Sequence, residues 1–128
     1  MSNSRILIVE DDFTNIAVIK HYIKNNYSVD IAYQAEEAVE KVKKAKYDAI
    51  LMDIRLKGNR DGISLMKEIR KIEYYKECPI AAITGYSFRE DRERFLSEGF
   101  SNYLSKPFNK KELENLLEEM TGYLPVLK

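Results

Sequence analysis

The chain has a single cysteine, Cys78, in 128 residues. One thiol excludes an internal disulfide framework and suits a reducing compartment. The only histidine, His21, rules out a histidine-based metal cluster. It falls within a helical stretch and reads as an ordinary surface or boundary residue. Net charge is zero, from 21 basic and 21 acidic side chains. That balance argues against a general nucleic-acid or membrane-binding surface and leaves room only for a local patch. No apolar run approaches a membrane span. The start, Met1-Ser2-Asn3-Ser4, lacks a signal-peptide pattern. There is no Gly-rich phosphate loop and no dinucleotide fingerprint, so a bound nucleotide is not expected. No repeat, low-complexity stretch or linker divides the chain. These absences point to one domain over 1–128, soluble and cytoplasmic, with no separate output domain.

What the chain does have is short apolar runs. Hydrophobic residues make up 45% of it, enough for one core. Ile6-Leu7-Ile8-Val9, Ala49-Ile50-Leu51-Met52 and Ile80-Ala81-Ala82-Ile83 are continuous and brief, as in strands buried on both faces of a parallel sheet. Val29 and Ile31 mark another strand, and Asn102-Tyr103-Leu104-Ser105 a fifth. Between them lie helical spacings. Ile16, Ile19 and Ile23 give a helix from about Thr14 to Asn25, and Ala35, Ala38, Val39 and Val42 a second. Ile63, Leu65, Met66 and Ile69 give a third. The charged segment from Ser87 to Ser97, with only Phe88 and Phe95 as apolar points, gives a weakly anchored fourth. Leu113, Leu116, Leu117 and Met120 give a fifth, ending near Tyr123. Asn109 and Glu112 have capping-box spacing at its start. Five strand–helix units in alternation imply a parallel sheet with helices on both faces and right-handed crossovers.

In such sheets, sites form beyond the carboxyl ends of the strands. Strand one ends in Glu10 and Asp11, strand three in Asp53, strand four in Thr84 and strand five in Lys106. A parallel sheet gathers all five at one edge. Two unit charges about 4 Å apart repel by about 1 to 4 kcal/mol, so three clustered carboxylates need counter-charge. Lys106 supplies one, and a hard dication such as Mg²⁺ would supply the rest. Carboxylate, metal, hydroxyl and ammonium together suit phosphoryl transfer, with a carboxylate able to act as nucleophile.

The runs Ile6-Leu7-Ile8-Val9-Glu10-Asp11-Asp12, Leu51-Met52-Asp53, Asp61-Gly62, Ile83-Thr84-Gly85 and Ser105-Lys106-Pro107-Phe108 occur in that order. In order and spacing, the sequence resembles the receiver domain of two-component response regulators across nearly its whole length. The resemblance implies a flavodoxin-like (βα)5 three-layer fold with strand order 2-1-3-4-5. It implies that Asp53 accepts a phosphoryl group. It places Mg²⁺, or Mn²⁺ in its stead, on Glu10, Asp11, Asp53 and the backbone carbonyl of Arg55. Thr84 and Lys106 would contact phosphoryl oxygens, and Tyr103 would be an aromatic switch. The Lys106–Pro107 bond would be cis. Arg55 and Tyr86 would flank the phosphoryl group and modulate its lifetime. The implied donor is a histidine kinase or histidine phosphotransfer protein. Output would pass through the face of helix 4, strand 5 and helix 5 to a downstream protein, from a monomer or weak homodimer. No direct nucleic-acid or membrane contact is implied, and no enzymatic turnover beyond self-phosphotransfer and autodephosphorylation.

Several positions depart from the family's pattern. Lys57 stands where a proline is usual, Asp61-Gly62 comes one residue late, and Gly85 replaces an alanine. A one-residue loop insertion and a freer loop after Thr84 are expected. Asp12 reads as a helix-start residue. Cys78 reads as packing, and the charged run Arg89 to Arg94 as a solvated face. Three rival readings remain. One is a pseudo-receiver that only binds protein. Another is a receiver segment of a hybrid kinase, which the Met1 start disfavours. The third is an Asp-nucleophile phosphatase, disfavoured because Arg55 stands where a second acid–base Asp is needed.

Overall fold

The computed structural model describes residues 4–56, 61–85 and 89–122. Five strands alternate with five helices: β1 (Arg5–Val9), α1 (Phe13–Ile23), β2 (Ser28–Ala32), α2 (Ala35–Lys44), β3 (Ala49–Asp53), α3 (Gly62–Arg70), β4 (Ile80–Thr84), α4 (Arg89–Glu98), β5 (Asn102–Ser105) and α5 (Lys110–Thr121). A single 3₁₀ turn, Glu73–Tyr75, lies between α3 and β4. The strands form one sheet in the order β2-β1-β3-β4-β5, all pairs parallel. This is the flavodoxin-like topology expected from the strand–helix alternation and the family resemblance.

Alternate residues of each strand serve opposite faces, as the pleat requires. Ile6, Ile8, Leu51, Ala81 and Ile83 pack against α1 and α5. Leu7, Val9, Ile50, Met52 and Ala82 pack against α2, α3 and Phe95 of α4. The continuous apolar runs therefore mark strands covered on both sides. Two faces filled from one run explain why no polar alternation is visible in β1, β3 or β4.

Helix ends follow local chemistry. Asp12 caps α1 by accepting from the Asn15 N–H, so α1 starts at Phe13, one residue earlier than the apolar spacing suggests. Asn109 and Glu112 form the expected capping box at α5. That helix stops at Thr121, short of the expected end, because Gly122 takes a left-handed conformation (φ 73°) at its C-cap. Helix α4 is anchored through Phe95, 1% exposed, which meets Phe100 edge-to-face and stacks on Tyr103. Phe88, the other expected anchor, and Lys57 in the loop after β3 lie outside the described residues.

Candidate functional site

The chain order reverses between β1 and β3, so their carboxyl ends open a crevice. Val9 pairs with Met52, which brings the next residues, Glu10 and Asp53, side by side. Asp53 pairs with Ile83, and Thr84 with Ser105. The backbone N–H of Lys106 donates to the Thr84 carbonyl at 2.7 Å, extending the β4–β5 ladder by one bond. Backbone register alone thus delivers Glu10, Asp11, Asp53, Thr84 and Lys106 to one edge. Asp53, Arg55, Thr84, Gly85 and Lys106 line a cleft of about 310 Å³.

Carboxylate oxygens of Glu10, Asp11 and Asp53 lie within 4.8 Å of one another. Glu10 is 2% and Asp53 7% exposed, so these charges are poorly screened by water. Partners offset part of the cost. Lys106 Nζ sits 3.2 Å from Glu10 Oε2 and 3.6 Å from Asp53 Oδ2. Glu10 Oε1 accepts from the Asp12 N–H at 3.1 Å, and Asp53 Oδ1 from the Arg55 N–H at 3.1 Å. Compensation is incomplete at Glu10. Burial, then the charge of Asp53, pushes its carboxyl up to about 7, against the pull of Lys106 and the Asp12 N–H. A carboxyl pushed this far up by burial and a neighbouring negative charge marks a site short of positive charge.

The donor set says which charge fits. All three side chains offer oxygen and no softer ligand, which matches a hard dication such as Mg²⁺ rather than a metal preferring imidazole or thiolate. Thr84, 2% exposed, and the Lys106 ammonium border the same cleft and can meet the oxygens of an anionic group beside Asp53. Other residues stand apart. Tyr103 is half-buried one strand over, its ring parallel to that of Phe95 with centroids 6.1 Å apart. Asp12 is occupied as a helix cap. The Lys106–Pro107 peptide bond is cis. Tyr86 lies outside the described residues.

Gly62 contributes in a way its Asp61-Gly62 setting did not reveal. A Cβ there would meet the Asp53 carbonyl oxygen at 2.7 Å and the Ile54 Cα at 2.9 Å. Only glycine lets α3 start against the backbone of the strand end. Gly85 differs: a Cβ there would meet no heavy atom within 4 Å, so an alanine would fit.

A doubly wound α/β domain with a three-carboxylate crevice, a buried hydroxyl and one ammonium has the oxygen donors that could hold a hard cation. The chain belongs to the response regulator receiver domain family, whose sequence model matches residues 6–118. It is similar to the receiver domain of the sensor histidine kinase PA1611 from Pseudomonas aeruginosa PAO1. The two share 37% identity over 95% of this chain and 100% of that one, with a TM-score of 0.85. That structure holds a magnesium ion coordinated in its active site cleft. The chemotaxis protein CheY4 of Vibrio cholerae is 27% identical over 93% of this chain and 99% of that one, with a TM-score of 0.85. The probable transcriptional regulator ycf29 of Porphyra purpurea is 32% identical over 94% of this chain. The signal transduction histidine-protein kinase BarA of Escherichia coli (strain K12) is 30% identical over 88% of it. The chain spans 57% of the former and 12% of the latter. Receiver domains of two-component systems thus occur within kinases and regulators alike. No helix among the described residues is long and apolar enough to cross a membrane.

Proposed function

We propose that the domain is a phosphorylation-dependent switch whose acceptor is Asp53. One observation carries this reading: the Asp53 carboxylate ends the central strand within 3.6 Å of the Lys106 ammonium and within 4.8 Å of Glu10 and Asp11 oxygens. A carboxylate oxygen of Asp53 attacks the phosphorus of a phosphohistidine on a kinase or phosphotransfer protein. The P–N bond breaks, its electron pair stays on the imidazole nitrogen, and an acyl phosphate forms. The Arg55 N–H holds Asp53 Oδ1 and so orients the attacking group. Lys106 and Thr84 stabilise the charge gathering on the phosphoryl oxygens.

Glu10, Asp11, Asp53 and the Arg55 carbonyl would hold Mg²⁺ or Mn²⁺. When bound, the ion neutralises the carboxylates that otherwise repel an incoming phosphoryl group. The new charge beside Thr84 then biases Tyr103 and the α4–β5–α5 face toward a partner-binding arrangement. The only turnover assigned is formation and hydrolysis of the domain's own acyl phosphate, in the cytoplasm, by a monomer or weak homodimer. Arg55 and Tyr86 are assigned to shielding that bond, so Arg55→Ala and Tyr86→Ala should change the dephosphorylation rate.

Intact mass after incubation with acetyl phosphate and Mg²⁺ tests the reading. One added phosphoryl group is expected on the wild type and none on Asp53→Asn. Absence of the adduct from folded wild type, with phosphohistidine donors also tried, would overturn it.

A further inference from the structure

The opposite edge of the sheet carries a second concave feature. The segments entering β3 and β4 enclose a groove of about 330 Å³. Its floor is buried Val42 with half-buried Ala45 and Ile72. Tyr74, 42% exposed, forms a wall braced edge-to-face by Tyr75, with ring centroids 4.8 Å apart. Lys43, Lys44 and Lys46 complete the rim.

The charge here is concentrated. Lys41 to Lys46 holds four lysines and no acid, in a chain of zero net charge. Lys41 faces Glu37 at 4.0 Å. Lys43 and Lys44 are exposed, and their side chains have no hydrogen-bond or ion-pair partner among the described residues. Lys46 rests its ammonium 5.2 Å from the centre of the Tyr74 ring. A helix C-terminus favours cations, which accounts for lysines in the last turn of α2. It does not account for Lys46, which follows the C-cap, nor for an apolar hollow among the ammonium groups.

We propose that this groove docks an acidic peptide segment of a partner protein, anchored by one apolar side chain. Carboxylates would meet Lys43, Lys44 and Lys46 while the anchor fills the hollow over Ala45 and Ile72. Concavity favours a peptide over a bilayer, whose flat surface cannot reach the floor. The Tyr74 face already carries Lys46, so it offers no free platform for stacking a nucleic-acid base. The groove lies at the amino ends of β3 and β4, away from Asp53, so docking and acceptor chemistry can proceed together.

Fluorescence anisotropy with a labelled peptide of glutamates around one central leucine tests this. Saturable binding to wild type is expected. The variant Lys43→Glu/Lys44→Glu/Lys46→Glu should weaken it at least about tenfold, as should raised salt. A glycine-centred peptide should bind at least about threefold more weakly, for loss of the buried anchor. Asp53 labelling by acetyl phosphate and the circular dichroism spectrum should be unchanged in the variant. Should the variant misfold, amide shifts of wild type on adding peptide replace it, and they should centre on Val42, Ala45, Ile72 and Tyr74. No saturable binding, equal binding by the reversed-charge variant or the glycine-centred peptide, or shifts centred elsewhere would overturn the proposal. So would capture of anionic phospholipid vesicles or RNA by these lysines with no peptide binding.

Discussion

A methyl group on Gly62 would lie 2.7 Å from the carbonyl oxygen of Asp53. The Gly62 N–H donates to the Ile54 carbonyl at 2.9 Å, so the start of α3 is fastened to the end of β3. The backbone that carries Asp53, the proposed acceptor, is therefore held by a close contact on which no side chain can intrude.

Gly62→Ala separates this constraint from helix propensity. In an unconstrained helix the change would stabilise by about 1 kcal/mol. Here the clashing atoms are backbone, and relief requires the strand end or the helix start to move. Such overpacking costs about 1–3 kcal/mol, so net destabilisation is expected, with slower labelling of Asp53 by acetyl phosphate. Urea unfolding and the labelling rate check it. A variant as stable and as quickly labelled as wild type would show that the contact relaxes freely.

Glu10 makes stability depend on pH. Its carboxyl rises from 4.5 to about 7 through burial and the neighbouring Asp53 charge. The folded protein then keeps a proton that the unfolded chain releases, and this contribution is complete below 4.5 and lost as pH rises through about 7. Metal-free wild type should lose urea stability relative to Glu10→Gln across that window. Added Mg²⁺ should restore stability to wild type above about pH 7, since binding to the native state alone stabilises it. Parallel pH profiles for the two proteins in EDTA would remove Glu10 as the cause.

Most of the site was legible because the fold converts strand ends into neighbours. Once Glu10, Asp53, Thr84 and Lys106 are assigned to the ends of parallel strands, their meeting needs no further information. Asp12 was equally legible, since helix caps are local chemistry. Contacts set by the approach of separate elements were not. The Asp61-Gly62 pair reads as a turn whether or not α3 leans on Asp53. Arg70, at the end of α3, carries no signal in the sequence, yet its guanidinium reaches four carbonyls contributed by two different segments.

Those four bonds make the next case. Arg70 donates to the carbonyls of Gly99 and Cys78 at 2.9 Å, of Tyr75 at 2.9 Å and of Lys76 at 3.1 Å. It ties the turn after α4 to the segment entering β4. Lysine has one nitrogen and cannot span them. Arg70→Lys should cost about 1–3 kcal/mol, the cost of stranding partly buried carbonyls, and Arg70→Met somewhat more. Urea midpoints rank the three proteins. A lysine variant equal to wild type would mean that water satisfies the carbonyls.

Tyr103 offers a test of the proposed switch. Its ring lies nearly parallel to that of Phe95, at 19°, and it is half-buried against α4. If charge placed on Asp53 draws Thr84 toward the cleft, space opens next to β5 and the ring can move in from its place against Phe95. The chain has no tryptophan, so Tyr103→Trp introduces a single indole with no background emission from others. Its polar N–H and large apolar body make emission sensitive to hydration at this half-buried position. Acetyl phosphate with Mg²⁺ should shift that emission to shorter wavelength, and the shift should be absent in the Asp53→Asn background. Labelling of Asp53 in Tyr103→Trp, followed by intact mass, ensures that a silent spectrum is not a silent acceptor. A fully phosphorylated variant whose emission does not move would separate the acceptor from this ring and place the conformational response elsewhere on the α4–β5–α5 face.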